Sequence, residues 1–265
     1  MKKIRVVVSG AYGRMGREVV RAITAENDLE LVGAFDSAGV GCDTGEITGI
    51  GANGIRVDAS LNSVLKNSKP DVVVDFTTAD GFEKRASAIM KSGARLVTGT
   101  TGLSDATLKK LEKQAGDKKT GVVIAANFAI GAVLMMQFAE KAARYLPDCE
   151  IIELHHDKKL DAPSGTALAT AEKIAAAGRS TERKEPTKTV KLDGARGGDF
   201  KGVSVHSVRL PGYVASQEVI FGAQGQTLKI RHDTISRESF MPGVVLAVRK
   251  VMRLKKMVTG LESLL

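Results

Sequence analysis

Ile4-Arg5-Val6-Val7-Val8-Ser9-Gly10-Ala11-Tyr12-Gly13-Arg14-Met15-Gly16 is the stretch that decides the fold. Its β-branched run at 4–8 reads as a strand, its glycines as a tight turn, and the spacing of apolar residues over 18–23 as a helix. Such a turn lets a pyrophosphate approach the backbone and lie on the helix N-terminus, where a Cβ would collide. The pattern is G-x-x-G-x-x-G, so Tyr12 departs from the G-x-G-x-x-G fingerprint of dinucleotide sites. The context supports the same chemistry. A second strand at 29–35 ends in Asp36, twenty residues beyond Gly16, where an acid accepts hydrogen bonds from both adenosine ribose hydroxyls. The other reading of Asp36 is a simple turn former.

Working outward, residues 71–76, 94–98 and 121–125 read as strands, alternating with helices at 81–91 and 104–115. That alternation predicts a parallel sheet, with ligands at the carboxyl ends of its strands. Three strand ends qualify: Phe76-Thr77-Thr78, Gly99-Thr100-Thr101-Gly102 and Ala125-Ala126-Asn127-Phe128. They suit backbone contact with a nicotinamide and its ribose; otherwise they are plain strand-to-helix turns, with Ser104 capping the next helix. Residues 37–54 are glycine-rich, lack a sustained period and read as loop.

A mostly apolar helix follows at 130–145, and a long polar loop is expected at 179–201. Strands at 203–209, 217–221 and 227–231, the last two forming a hairpin, mark a second domain with an open sheet suited to subunit packing. His206 and His232 lie there without metal-ligand spacing, so no metal site is expected. The chain then returns to helix over 244–258, with Arg249, Arg253 and Lys256 on a solvated face. The expected class is α/β: a Rossmann-like dinucleotide-binding domain at 1–127 and a smaller α+β domain at 128–236. The smaller domain carries an open mixed sheet for substrate binding and oligomerisation, and a C-terminal helix at 237–265 returns to the first domain.

Composition narrows the function. The net charge of +9 over 265 residues is scattered, and the chain has no Trp, so a stacking platform for nucleic acid is not expected. A basic enzyme whose ligands are dinucleotides and dicarboxylates fits equally well. Cys42 and Cys149 lack C-x-x-C spacing, no run is long and apolar enough for a membrane span, and no signal-peptide core is visible, so a cytoplasmic location is expected.

The chemistry concentrates in Glu153-Leu154-His155-His156-Asp157-Lys158-Lys159-Leu160-Asp161-Ala162-Pro163-Ser164-Gly165-Thr166-Ala167. Alternation over 150–154 predicts a strand, which makes His155 and His156 diverge. Pro163 and Ser164 are helix-start signals, placing a helix N-terminus beside Lys159. Unpaired N–H groups, the helix dipole and an ammonium together suit a carboxylate or phosphate. Lys159 lies nearer that turn than Lys158. The competing reading is an ordinary strand-turn-helix with exposed histidines and a solvated lysine pair.

These motifs resemble the dihydrodipicolinate reductase family over nearly the whole chain. The resemblance implies reduction of 4-hydroxy-tetrahydrodipicolinate with NADH or NADPH in lysine and diaminopimelate biosynthesis. It implies that His155 is catalytic, that Lys159 donates the proton, and that His156, Gly165 and Thr166 bind the dicarboxylate substrate. It also implies a homotetramer built through the second domain's sheet. The turn from Gly10 to Gly16 is similar to the family's own fingerprint, and the loops at Gly99 and Ala125 are similar to its cofactor loops. One departure bears on the cofactor: Ser37 follows Asp36, where members that accept NADPH often carry Arg, so NADH is the preferred coenzyme expected here. Two rivals are another nicotinamide-dependent reductase and a dinucleotide-sensing regulator that binds nucleic acid, although no helix-turn-helix pattern is present.

Overall fold

The computed structural model describes residues 2–146, 148–177 and 187–265. The chain divides into two compact units, one running to Phe128 and resuming at Phe240–Leu265, the other spanning Ala129–Ser239.

The first unit opens with β1 (Ile4–Ser9), α1 (Arg14–Ala25), β2 (Leu29–Phe35), α2 (Thr44–Thr48), β3 (Val57–Asp58) and α3 (Leu61–Ser68). It continues with β4 (Val72–Asp75), α4 (Phe82–Lys91), β5 (Arg95–Thr98), α5 (Asp105–Lys118) and β6 (Val122–Ile124). The second unit contains α6 (Ile130–Ala143), β7 (Asp148–His155), α7 (Gly165–Ala176), β8 (Gly198–Phe200), β9 (Val203–Arg209), β10 (Ala215–Ala223) and β11 (Gln226–Thr234). The chain then completes the first unit with α8 (Met241–Val251) and β12 (Met257–Thr259).

The first sheet runs β12-β6-β5-β4-β1-β2-β3, and every pairing in it is parallel. Val6 to Val8 and Val72 to Val74 are fully buried, as expected of strands covered on both faces. On one face Val7, Val73, Leu96 and Val122 meet the apolar stripes of α3, α4 and α5. Helices α1 and α8 pack against each other and against this sheet. The second sheet runs β11-β10-β7-β9-β8, with β7 and β9 parallel and the other pairs antiparallel. Ala139, Ala143, Ala167, Ala171 and Ile174 of α6 and α7 cover one face of it.

Three expectations need correction. Residues 37–54 are not all loop: α2 forms there because the Asp43 carboxylate accepts N–H bonds from Gly45, Glu46, Asn53 and Gly54. One buried acid thus does the organising that periodicity does elsewhere. The expected loop at 179–201 contains β8, which pairs with β9; its residues 179–186 lie outside the described residues. The helix expected over 244–258 stops at Val251, because Met257–Thr259 instead adds a parallel strand to β6 and satisfies that strand's open edge. Arg253 and Lys256 are therefore not on a helical face. Arg249 forks onto Asp28 at 2.9 and 2.7 Å and reaches Glu26 at 2.6 Å, tying α8 to the α1–β2 connection.

A built Cβ on Gly16 would lie 1.9 Å from the Gly10 carbonyl oxygen, whereas one on Gly116 of α5 meets nothing within 4 Å. Gly16→Ala is therefore expected to destabilise the chain by roughly 1–3 kcal/mol, and Gly116→Ala to stabilise it by roughly 0.5–1 kcal/mol. Urea unfolding of both variants checks the pair, and equal effects would contradict the packing described.

Candidate active site

In the first unit the turn after β1 is compressed against α1. Gly10 adopts φ 84°, and a Cβ on it would sit 2.9 Å from the Phe76 carbonyl oxygen. Because α1 begins at Arg14, the N–H groups of Arg14, Met15 and Gly16 have no acceptor within the helix. Tyr12 has a structural use that its departure from the fingerprint did not suggest. Its ring packs on Gly39, the Arg17 guanidinium stacks 4.5 Å from its centroid, and its N–H donates to Asp36 Oδ2 at 2.9 Å. The Ala38 N–H donates to the other Asp36 oxygen at 3.1 Å. Asp36 is thus held firmly on the wall of a cleft of about 400 Å³ that Gly10, Gly13, Ser37, Thr77 and Arg85 also line. Lone pairs remain on both of its oxygens for further donors.

Asp75 ends β4 fully buried, an arrangement the sequence reading missed. Its carboxylate takes the Ser9 hydroxyl at 2.6 Å, the Thr77 hydroxyl at 3.0 Å and the Thr100 hydroxyl at 3.1 Å, with Arg85 Nε at 3.9 Å. Arg85 in turn donates to the Thr77 hydroxyl, the Thr78 carbonyl and the Asp80 carbonyl. A hydroxyl has one proton to give, so Thr77 and Thr100 direct theirs into the fold. The side chains of Ala11 and Ala125 are buried, while Thr101 and Ala126 are exposed and Asn127 is half-buried. Phe76 and Phe128 stack at 5.6 Å and 57°, and Gly99 lets the Phe76 ring lie on the backbone, since a Cβ there would meet it at 2.2 Å.

In the second unit β7 ends at His155, and His156 lies beyond the strand. The alternation that predicted diverging rings therefore does not extend to His156. Ser164 caps α7 by accepting the Ala167 N–H at 3.2 Å, which makes Gly165 and Thr166 the opening residues of that helix. The Lys159 side chain is 19% exposed and its ammonium donates to Asp161 Oδ1 at 2.6 Å, while Lys158 is exposed. That bond holds the Asp161 carboxyl below its ordinary range.

Glu153, the second missed residue, joins these parts. It is fully buried, and Arg209 forks onto it at 2.9 and 2.7 Å. It also contacts His155 Nδ1 and accepts the Ser164 N–H at 3.3 Å. Arg209 further donates to the Asp161 carbonyl at 2.7 Å. Burial opposes ionisation of Glu153, yet Arg209, Ser207 and His155 together hold it below the ordinary carboxylate value. Burial pushes the His155 pKa down; Glu153 pulls it up, and Lys159 and Arg209 add to the depression. The readable signal was positional: Glu153 follows Cys149 and Ile151 on the covered face of β7, where a charge needs a partner. Among the described residues, no group of three or more His, Cys, Asp and Glu side chains is placed to hold a metal.

Residues 4–128 match the family model described as dihydrodipicolinate reductase, N-terminus, and residues 131–265 match its C-terminus. The chain is 51% identical over 266 residues to 4-hydroxy-tetrahydrodipicolinate reductase of Desulfitobacterium hafniense, covering 100% of both chains. It is 51% identical over 262 residues to the Moorella thermoacetica enzyme of the same name, covering 99% of this chain and 98% of that one. A solved structure described as dipicolinate-bound dihydrodipicolinate reductase from Paenisporosarcina sp. TG-14 superimposes with a TM-score of 0.89 at 43% identity, covering 99% of this chain and 100% of that one.

Proposed function

Since the chain belongs to the dihydrodipicolinate reductase family and its reaction is the pyridine-nucleotide-dependent reduction of 4-hydroxy-tetrahydrodipicolinate, we propose that His155 and Lys159 carry the proton chemistry of that reaction. The observation that carries this assignment is that His155 and the cap of α7 meet on one buried carboxylate, while Lys159, paired with Asp161, lies close enough for its charge to lower the His155 pKa. The substrate is a dicarboxylate, in keeping with the dipicolinate named for the Paenisporosarcina relative. Its carboxylates are held by His156, by the Lys159 ammonium in exchange for Asp161, and by the N–H groups of Gly165 and Thr166 at the positive end of α7. Lys159 donates the proton that completes reduction.

Bound NADH or NADPH supplies the hydride. The first unit fits such a cofactor, because the close approaches at Gly10 and Gly16 keep side chains off the turn where a pyrophosphate would lie. Residues Gly10 to Gly16 take the pyrophosphate, and Asp36 takes the adenosine ribose. Phe76, Thr77, Gly99, Thr100, Thr101 and the segment from Ala125 to Phe128 take the nicotinamide half, largely by backbone. NADH is the preferred coenzyme, because Asp36 repels a 2′-phosphate and Ser37 offers no compensating guanidinium. The assembly is a cytoplasmic homotetramer. Its location follows from the biosynthetic role, and the face of the five-stranded sheet opposite α6 and α7 would provide the contact.

Comparing kcat/KM for the two coenzymes tests the preference, and an advantage for NADPH would show that Asp36 and Ser37 do not set it. His155→Ala is expected to lower turnover by about a hundredfold with NADH affinity retained. Lys159→Ala should lose catalysis severely, Lys159→Arg should recover substrate binding better than rate, and Lys158→Ala should be mild. Steady-state kinetics with NADH titration reads all four, and a Lys158 variant worse than Lys159→Ala would reverse the assignment. Gly165 offers a further test, since a Cβ there meets no protein atom within 4 Å. Gly165→Ala should keep its melting temperature yet bind dipicolinate more weakly, because the methyl group would stand where a carboxylate approaches the N–H. Unchanged dipicolinate affinity would remove α7 from the site.

A further inference from the structure

Resting on the reading of His155 above, we propose that Glu153 is a positioning residue for this reaction. It acts through His155 by fixing the tautomer and direction of the imidazole, with Arg209 keeping Glu153 charged. An ionised carboxylate is acceptor-only, so the nitrogen that meets it, His155 Nδ1, carries the hydrogen. The neutral ring then has its lone pair on Nε2, on the side away from Glu153. A proton gained at Nε2 leaves an imidazolium whose charge Glu153 balances.

The geometry limits this role to Glu153. Its side chain is fully buried, and both oxygens are engaged: Oε1 by Arg209 and Ser164, Oε2 by Arg209 and His155. Arg209 closes β9 and His155 closes the neighbouring β7, with the two residues paired in register. The carboxylate therefore fixes one ring, one guanidinium and the first bend into α7 as a unit. Buried as it is, Glu153 does not itself meet substrate. Its effect is on where the His155 ring lies and which nitrogen is protonated, and partners of this kind typically contribute about 10–100-fold in function.

A double-mutant cycle in the full chain tests the inference. Glu153→Gln keeps the volume and removes the charge, so kcat should fall about 10–100-fold, with NADH affinity unchanged and KM altered much less than kcat. In a His155→Ala background the same change should have no further effect on kcat, because the residue through which it acts is gone. Losses that simply add would overturn the proposal, since a merely structural role weakens both backgrounds alike. A His155→Ala variant with normal turnover would overturn both this inference and the reading of the site. A damaged His155→Ala variant beside a normal Glu153→Gln variant would overturn the inference alone. If Glu153→Gln does not fold, nitrogen-15 NMR of the unmodified protein decides. A hydrogen on His155 Nδ1 at neutral pH supports the proposal, and one on Nε2 overturns it.

Discussion

A carboxylate cut off from water must be fully paired or it will not stay ionised, and each unit of this chain places one near the carboxyl end of its middle strand. Asp75 ends β4, with three strands on either side, and Glu153 lies two residues before the end of β7, with two on either side. An unpaired charge at such depth costs several kcal/mol, so the chain must bring partners to it. Those partners come from neighbouring elements: Ser9 from β1, Thr100 from the end of β5 and Arg85 from α4 in one unit, Arg209 from β9 and Ser164 from the start of α7 in the other. Pairing the charge therefore also fixes the strand-end segments, the positions where α/β proteins hold ligands.

The two hubs differ in what they leave for chemistry. Asp75 consumes hydroxyl protons, so the loops around it would meet the proposed cofactor through backbone, which suits recognition of a nucleotide without reaction. Glu153 instead takes one guanidinium and one imidazole. The guanidinium neutralises it permanently, while the imidazole remains titratable and depressed in pKa by burial. Beside it, Lys159 and Asp161 cancel each other's charge in the isolated chain. In the proposed site a dicarboxylate would compete with Asp161, a surface residue, and leave the Glu153–Arg209 pair intact.

Legibility in the sequence followed the range of the interaction. The parallel sheet was readable because Val6 to Val8 and Val72 to Val74 are continuous apolar runs, and the cap at Ser164 because it acts within three residues. Tyr12 read as an anomaly because its explanation, a ring on Gly39 and an N–H on Asp36, spans a loop. Helix α2 escaped because Asp43, rather than a period, organises it. Helix α3 was legible, with Leu61, Val64, Leu65 and Ser68 on one buried stripe, but it lay in a segment given no reading. Arg209 could not be linked to Glu153 from sequence, because 56 residues separate them. At the C-terminus, apolar character alone did not separate the end of α8 from β12, and the open edge of β6 decided it.

The glycines separate what the fold requires from what a ligand requires. At Gly16 the protein itself excludes a side chain, because the Gly10 carbonyl occupies the space. Glycine there maintains the turn whether or not a nucleotide is present, so the glycine pattern alone is a sign of fold before it is a sign of function. Gly165 is the opposite case: it is exposed, its φ is not in the left-handed region, and a Cβ would meet no protein atom within 4 Å. Among the described residues nothing calls for glycine at that position, and the proposed carboxylate contact would use the space. The same contrast separates the two lysines, since Lys158 is exposed while the Lys159 side chain is drawn down to 19% exposure against Asp161. The proposed substrate site is built on residues of this second kind, which the packing of the described residues does not require.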